Sequence, residues 1–265
     1  MNDWLSRQSF LGSNSDEVLS QCRVGVIGLG GGGSHIAQQL AHLGVGHFVL
    51  IDPDHVEASN LNRLVGATKK DVTKATPKTS VARRLIKRIN PKAQVITISR
   101  EWQTEGNSVA GCDVVFGCVD TFSAREELER ICRRYTLPFV DIGMDVTEVP
   151  GGYMISGQVI LSMPGEMCMW CLGFLTEELL AQEAGRYGAA GGRPQVIWPN
   201  GILASAAVGM FVQLVTPWRH EMKPSIYLEY DGNVQTIAPS NRLHYLDGKK
   251  CSHFLSSAIG DPFWQ

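Results

Sequence analysis

The sequence predicts a doubly wound α/β fold, a mostly parallel sheet with helices on both faces, and three observations predict it. Apolar runs of strand length alternate with stretches of helical periodicity along the N-terminal half. The first such run, Val24, Val26 and Ile27, passes through Gly28, Gly30, Gly31 and Gly33 into a helix whose Ile36, Ala37, Leu40 and Leu43 recur at helical spacing. A second run, Phe48 to Ile51, ends in Asp52 and completes a strand-helix-strand unit.

That unit is Rossmann-like, and its glycines serve separate purposes, namely a tight turn, a close backbone approach to phosphate, and close helix-strand packing. A phosphate group suits the helix N-terminus, and Asp52 falls where a carboxylate meets a ribose hydroxyl. The glycine turn alone fits an ordinary dehydrogenase, or a turn with no ligand, equally well. The residues after Asp52 separate these readings.

A chain of 265 residues is long enough for an N-terminal arm, residues 1–20, and a single large domain over 21–265. Its formal net charge of -2 argues against the global basic field that nucleic acid or an anionic membrane recruits. Seven scattered cysteines, with no charged-then-apolar leader, argue against a secreted disulfide framework and for a cytoplasmic location. The longest apolar stretch, 201–215, is shorter than a membrane span and suits a core helix.

In chain order, the arm sets Arg7 and Gln8 among Trp4, Leu5, Phe10 and Leu11, as a helix or arm packed on a partner surface. Thr76 is the expected cap and Pro77 the first residue of a helix carrying Val81, Leu85 and Ile89. Lys78 in its first turn opposes the helix dipole, which points to a purpose other than helix stability. The alternating Val95, Ile96 and Ile98 form the third strand, and 113–118 the fourth. Asp120 stands at the carboxyl end of the fourth strand, where doubly wound sheets bind ligands; it or Thr121 can also cap a helix over 123–134. A fifth strand over 137–142, a later strand over 153–161, an apolar helix over 202–215 and a hairpin over 226–237 complete the pattern.

Residues 52–63 read D-P-D-H-V-E-A-S-N-L-N-R, behind G-x-G-G-x-G-S at 28–34. This resembles the D-x-D-x-V-x-x-S-N-L-x-R block of the ubiquitin-activating-enzyme superfamily, whose bacterial members include ThiF and MoeB. The resemblance runs from Arg7 to Cys251. It implies an adenylyltransferase that uses ATP and Mg2+ to activate a carboxylate, the C-terminal glycine tail of a ubiquitin-like or sulfur-carrier protein, with release of pyrophosphate. The implied nucleotide set is Gly28, Gly30, Gly31, Gly33, Ser34, Asp52, Asp54, Asn60, Arg63, Lys78 and Asp120, with Asp120 on the magnesium ion. Arg63, Lys78 and Asp120 serve catalysis, joined by Arg7 reaching in from the other subunit of a homodimer; the residues alone allow Arg7 to be an ordinary surface arginine. Amide and guanidinium donors such as Asn60 and Arg63 suit a triphosphate and have no use in a dehydrogenase.

Cys168-Met-Trp-Cys171 follows a Pro-Gly turn rather than opening a helix after a strand, which favours half of a structural Zn2+ site over a redox pair. The family completes this knuckle, over 164–171, with a second C-x-x-C; here the C-terminal half is 251–253, with only Cys251 and His253. One intervening residue is tighter than usual ligand spacing, which makes His253 the weaker member of a Cys3His set. Residues 172–197 correspond to a crossover loop, with a short helix over 172–183 and a glycine-rich stretch at 185–193 that reads as mobile. No cysteine lies between 171 and 251, so the position that forms a thioester in some relatives is vacant and a downstream thiol-carrying enzyme is a further expected partner. Cys112, Cys118 and Cys132 read as small core or surface residues of strands and helices, and Cys22 precedes the first strand. Two alternatives stand beside this reading: a tRNA threonylcarbamoyladenosine cyclase-like enzyme, opposed by the knuckle and the small net charge, and a non-catalytic dimeric scaffold that binds nucleotide, opposed by the full phosphate-facing set.

Overall fold

The computed structural model describes residues 3–185, 194–219, 222, 224–246 and 249–254. Most of the glycine-rich stretch expected to be mobile, 186–193, lies outside the described residues, as do 255–265. The strands are β1 (Arg23–Ile27), β2 (His47–Ile51), β3 (Gln94–Ile98), β4 (Val114–Gly117), β5 (Phe139–Val149), β6 (Gly152–Ser162), β7 (Tyr227–Asp231) and β8 (Thr236–Pro239). They form one sheet in the order β3-β2-β1-β4-β5-β6-β7-β8. The first five run parallel and the last three antiparallel. The helices are α1 (Ser15–Gln21), α2 (Gly31–His42), α3 (Lys69–Thr73), α4 (Lys78–Ile89), α5 (Gly106–Ala110), α6 (Phe122–Arg134), α7 (Glu177–Gly185) and α8 (Ile197–Val215).

Both faces of the central strands are covered, which is why β4 is apolar without alternation. On one face Ile36 and Leu40 of α2, Ile86 of α4, and Leu203 and Phe211 of α8 pack with Val24, Val26, Phe116 and Val140. On the other, Val109 of α5, Leu128 and Ile131 of α6, and Met169 of the knuckle pack with Ile27, Val49, Val115 and Phe139. At the edge, β3 lacks this cover, and Ile96 of the expected apolar alternation is 45% exposed.

Several boundaries differ from the expected ones for identifiable reasons. Pro77, not Thr76, holds the cap position of α4, because Thr76 accepts the Val56 amide and His55 bridges to Pro77. The short helix after the knuckle starts at Glu177 rather than 172, since Leu172 and Leu175 are buried in turns that wrap the knuckle. α8 begins at Ile197; Pro199 falls in its first turn, where a missing N–H costs nothing. By length and composition α8 could cross a membrane, but half of that span is buried, against α2, β5 and β6. The N-terminal segment, expected on a partner surface, buries Leu5, Leu11 and Leu19 in its own chain and leaves Trp4 and Phe10 exposed.

Candidate nucleotide site and metal centre

β1 pairs with β2 on one side and β4 on the other, so the chain reverses its course across the sheet there and a crevice opens at the strands' carboxyl ends. Gly28 leaves β1 with φ +86, and a Cβ on it would lie 2.4 Å from the Cys118 carbonyl oxygen. A Cβ on Gly33 would fall 1.9 Å from the Gly28 carbonyl oxygen, so only glycine lets α2 approach the turn this closely. Gly31 and Gly32 abut Asn200 and Ile142 instead. Around Gly30 nothing lies within 4 Å of the added carbon, which makes it the open side of the turn.

Asp52, at the end of β2, is 4% exposed and accepts from the Leu29 amide at 2.6 Å and the Asp54 amide at 2.8 Å. Burial pushes its pKa up, against the opposing pull of Lys78 and these two donors. Lys78 lies 3.9 Å from Asp52 and 2.7 Å from Asp54, held there by its own amide bond to the Asp54 carbonyl. Asp52, Asp54 and Lys78 are thus brought together.

The loop after β2 is pinned to the glycine turn. Ser34 donates to the Gly31 carbonyl at 2.9 Å and accepts from the Val65 amide at 3.0 Å, so its hydroxyl is engaged in holding the loop. Asn60 is buried and its Oδ1 accepts from the Glu57 amide, which closes a one-turn helix at Ala58–Asn60. Half-buried Arg63 donates to the Ser59 carbonyl at 2.7 Å and to Asn62 Oδ1 at 3.0 Å. At the end of β4, Thr121 caps α6 by accepting from the Ala124 amide, which leaves Asp120 exposed at the crevice rim. Arg7 is not part of this crevice. It is exposed on the arm, which docks on the opposite end of α2, where Gln8 donates to the Leu43 carbonyl. The 12 residues of α2 put about 18 Å between its two ends.

Two features were not found from the sequence. Arg125 of α6 pairs with the fully buried Asp141 of β5 and donates to the Ile142 carbonyl at 3.1 Å. A carboxylate inside the apolar run Phe139–Ile142 was the available signal. Glu183 of α7 accepts from the Phe122 and Ser123 amides, each at 2.9 Å, at the start of α6. Nothing in a sequence separation of about 60 residues announces that contact.

The ligand atoms of Cys168, Cys171, Cys251 and His253 all lie within 4.8 Å of one another. The Sγ atoms of Cys168 and Cys171 are 3.6 Å apart, and His253 Nδ1 lies 3.4 and 3.2 Å from them. Sulfurs about 2.3 Å from a tetrahedral zinc would be about 3.8 Å apart, so three thiols and this imidazole suit a closed structural site. The tight spacing to His253 is met by use of Nδ1 while the ring stacks on Trp170. Buried Glu129 and Arg133 of α6 hold the knuckle to the sheet, Glu129 accepting from the Met169 amide and Arg133 donating to the Met167 carbonyl. The other thiols are poor nucleophiles: burial pushes Cys22 up to about 11 and Cys112 to about 12, and raises Cys118 and Cys132 as well.

A family model described as "ThiF family" matches residues 5–250. The chain belongs to the ThiF family. It is 34% identical over 164 residues to the SAMP-activating enzyme E1 of Haloferax volcanii, an alignment covering 61% of this chain and 57% of that protein. It is 32% identical over 178 residues to the molybdopterin-synthase adenylyltransferase of Escherichia coli, covering 65% of this ThiF-family chain and 68% of the relative. A solved structure of E. coli MccB with succinimide superposes with a TM-score of 0.74 at 21% identity, over 91% of this chain and 72% of that one, and shares its fold. This member spans only about half the length of several of its curated relatives, 51% in the case of the E. coli sulfur carrier protein ThiS adenylyltransferase.

Proposed function

We propose that this ThiF-family chain is an adenylyltransferase that uses ATP and magnesium to activate the C-terminal carboxylate of a ubiquitin-like or sulfur-carrier protein. The observation that supports this reading is the clustering of Asp52, Asp54 and Lys78 at the carboxyl end of β2, where Asp52 also takes the Leu29 amide of the glycine turn. The names of the relatives, activating enzymes and adenylyltransferases for small carrier systems, support it.

In this reading Asp52 accepts from the ribose hydroxyls, and the Gly30 turn, Asn60 Nδ2, Arg63 and Lys78 face the phosphates. Asp120 supplies a magnesium ligand, and the bound ion neutralises phosphate charge. A carboxylate oxygen of the glycine tail attacks the α-phosphorus, the bond to the α,β-bridging oxygen breaks, and pyrophosphate leaves with that electron pair. The product is an acyl-adenylate. Arg63 and Lys78 meet the negative charge as it shifts toward the leaving group, so the chain contributes positioning and electrostatics. The knuckle would hold zinc with four protein ligands, which leaves no position for a reacting water and makes the ion a tether. The working unit is a homodimer in the cytoplasm in which Arg7 serves the neighbouring crevice, built on an adenylation domain over 21–265. A separate thiol-carrying enzyme takes the acyl group, in keeping with the lack of cysteine between 171 and 251.

ATP-pyrophosphate exchange, measured with a panel of small proteins ending in Gly-Gly, tests the proposal. Exchange that depends on one member is the expected result. Tight ATP binding with no exchange for any carboxylate would replace this reading with the scaffold.

A further inference from the structure

The net charge of -2 is the sum of two unlike parts. Residues 58–100 hold 11 of the chain's 24 Lys and Arg but only one of its 26 Asp and Glu. That acid, Asp71, is buried and already taken: it accepts from Arg84 Nη1 at 2.8 Å and Nη2 at 2.9 Å. The same guanidinium donates to the Gly66 carbonyl at 3.1 Å, and so clamps α3 against α4. Lys70 and Lys74 beside Asp71, and Arg83 and Arg88 beside Arg84, lie within about one helical turn of the clamp and are exposed. With exposed Lys69 and Lys92 they make a surface of one sign, and none of the six is paired with a carboxylate among the described residues. An ordinary solvated helix mixes signs, as α6 does where Arg130 pairs with Glu126.

We propose that this face of α3 and α4 binds the phosphodiester backbone of a nucleic-acid duplex, without reading its sequence. Composition decides among anionic partners. Protein interfaces are depleted in lysine and anchored by aromatic and apolar side chains. No aromatic occurs in 58–100, and among the described residues its one exposed large apolar side chain is Ile96, on β3. Membrane attachment adds an inserted apolar group to the charge, and a single strand is held by aromatic platforms on which its bases stack. The face has neither. Duplex phosphates are met by lysine, arginine and small hydroxyls, and exposed Thr73 and Ser80 lie among the cations. RNA and DNA duplexes share that backbone. The surface is independent of the adenylation reading, since it uses none of the residues assigned to ATP.

Fluorescence anisotropy on the full chain tests this with DNA and RNA duplexes of one mixed sequence and with the matching single strand. Both duplexes should bind, and the tighter of the two names the source. With about four phosphates engaged, affinity should fall about 100-fold between about 50 and 200 mM salt. The joint variant Lys70→Ala, Lys74→Ala, Arg83→Ala, Arg88→Ala should melt with the wild type, bind every duplex about 100-fold more weakly and lose most of the salt slope. Arg83→Ala alone should lower the slope by about one, which keeps the test decisive even if the joint variant folds poorly. Equal binding by wild type and variants, or a duplex affinity indifferent to salt, would overturn the proposal. A single strand that binds more tightly than either duplex would overturn the choice of a duplex. Polyglutamate or phosphatidylserine vesicles that bind where the duplexes do not would overturn it in favour of an acidic polypeptide or a membrane.

Discussion

The Lys78 ammonium lies 2.7 Å from the Asp54 carboxylate, and the two partners are unequally free: the lysine side chain is 11% exposed and the aspartate side chain 63%. Asp54 can swing into solvent while Lys78 stays beside Asp52, so Asp54 parks the lysine and a phosphate can take it over. Lys78→Ala should therefore lower ATP-pyrophosphate exchange about 100-fold, the usual cost of a preorganised charge donor. Asp54→Ala should leave exchange within about threefold of wild type. An equal loss from both variants would assign Asp54 to the nucleotide itself.

Asp120→Ala should abolish exchange and leave the melting temperature unchanged. Thr121, not Asp120, caps α6, so the helix loses no bond when the carboxylate goes. Thr121→Ala should do the reverse, lowering stability by about 1 kcal/mol. Thermal melts run beside the exchange assay separate the two, and a destabilised Asp120→Ala chain would show that the carboxylate serves the fold.

The strand-turn-helix-strand core was legible because its signals are local. The glycines of 28–33 reveal the turn and Asp52 the end of β2, since each is dictated by backbone geometry within a few residues. The gathering of Asp52, Asp54 and Lys78 was implied by resemblance and is built by a short antiparallel bridge, with the Lys78 amide on the Asp54 carbonyl and the Val56 amide on the Thr76 carbonyl. The engaged hydroxyl of Ser34 was not legible, because a partner at Val65 depends on how the loop folds back. Nor was the contact of Glu183 with the Phe122 and Ser123 amides: a glutamate on an acidic helix looks solvated until the helix is seen beside α6. The start of α7 was misplaced because Leu172 and Leu175 fit helical spacing yet are consumed by the knuckle.

Metal analysis should find one zinc per chain. His253→Ala and Cys251→Ser should each cut zinc content sharply and lower the melting temperature, while Cys22→Ser changes neither. Exchange activity per folded molecule should survive in His253→Ala, because the site has no open ligand position and the knuckle is bonded to α6 at Glu129, nine residues along the chain from Asp120. Loss of exchange in a zinc-free but folded chain would give the ion a role beyond tethering.

Asp71 is 5% exposed, and its bonds to Arg84, first, and to Thr68 hold its carboxyl well below the usual carboxylate range. A depressed carboxylate adds stability above the unfolded pKa of about 4, and that stability is lost as pH falls through the lower folded value. Partial exposure of Arg84 keeps the contribution to about 1 kcal/mol. Asp71→Asn should thus destabilise the chain by that amount at neutral pH, with the difference from wild type shrinking in acid. Denaturant unfolding at neutral pH and at about pH 3 checks the sign.

The glycine turn allows the sharpest division between folding and binding. A methyl on Gly33 would drive into the Gly28 carbonyl at 1.9 Å, backbone against backbone, and no rotamer relieves that clash. Gly33→Ala should destabilise the fold by roughly 4 kcal/mol or more, or prevent it. A methyl on Gly30, three residues earlier, meets nothing within 4 Å of its own chain. Gly30→Ala should fold normally and yet bind ATP at least tenfold more weakly, because the space the methyl enters is the space the phosphates need. Unfolding curves and nucleotide titrations on the two variants give the answer together. A Gly30→Ala chain with wild-type affinity would move the phosphates away from this turn, and the nucleotide site would have to be sought elsewhere along the carboxyl ends of the strands.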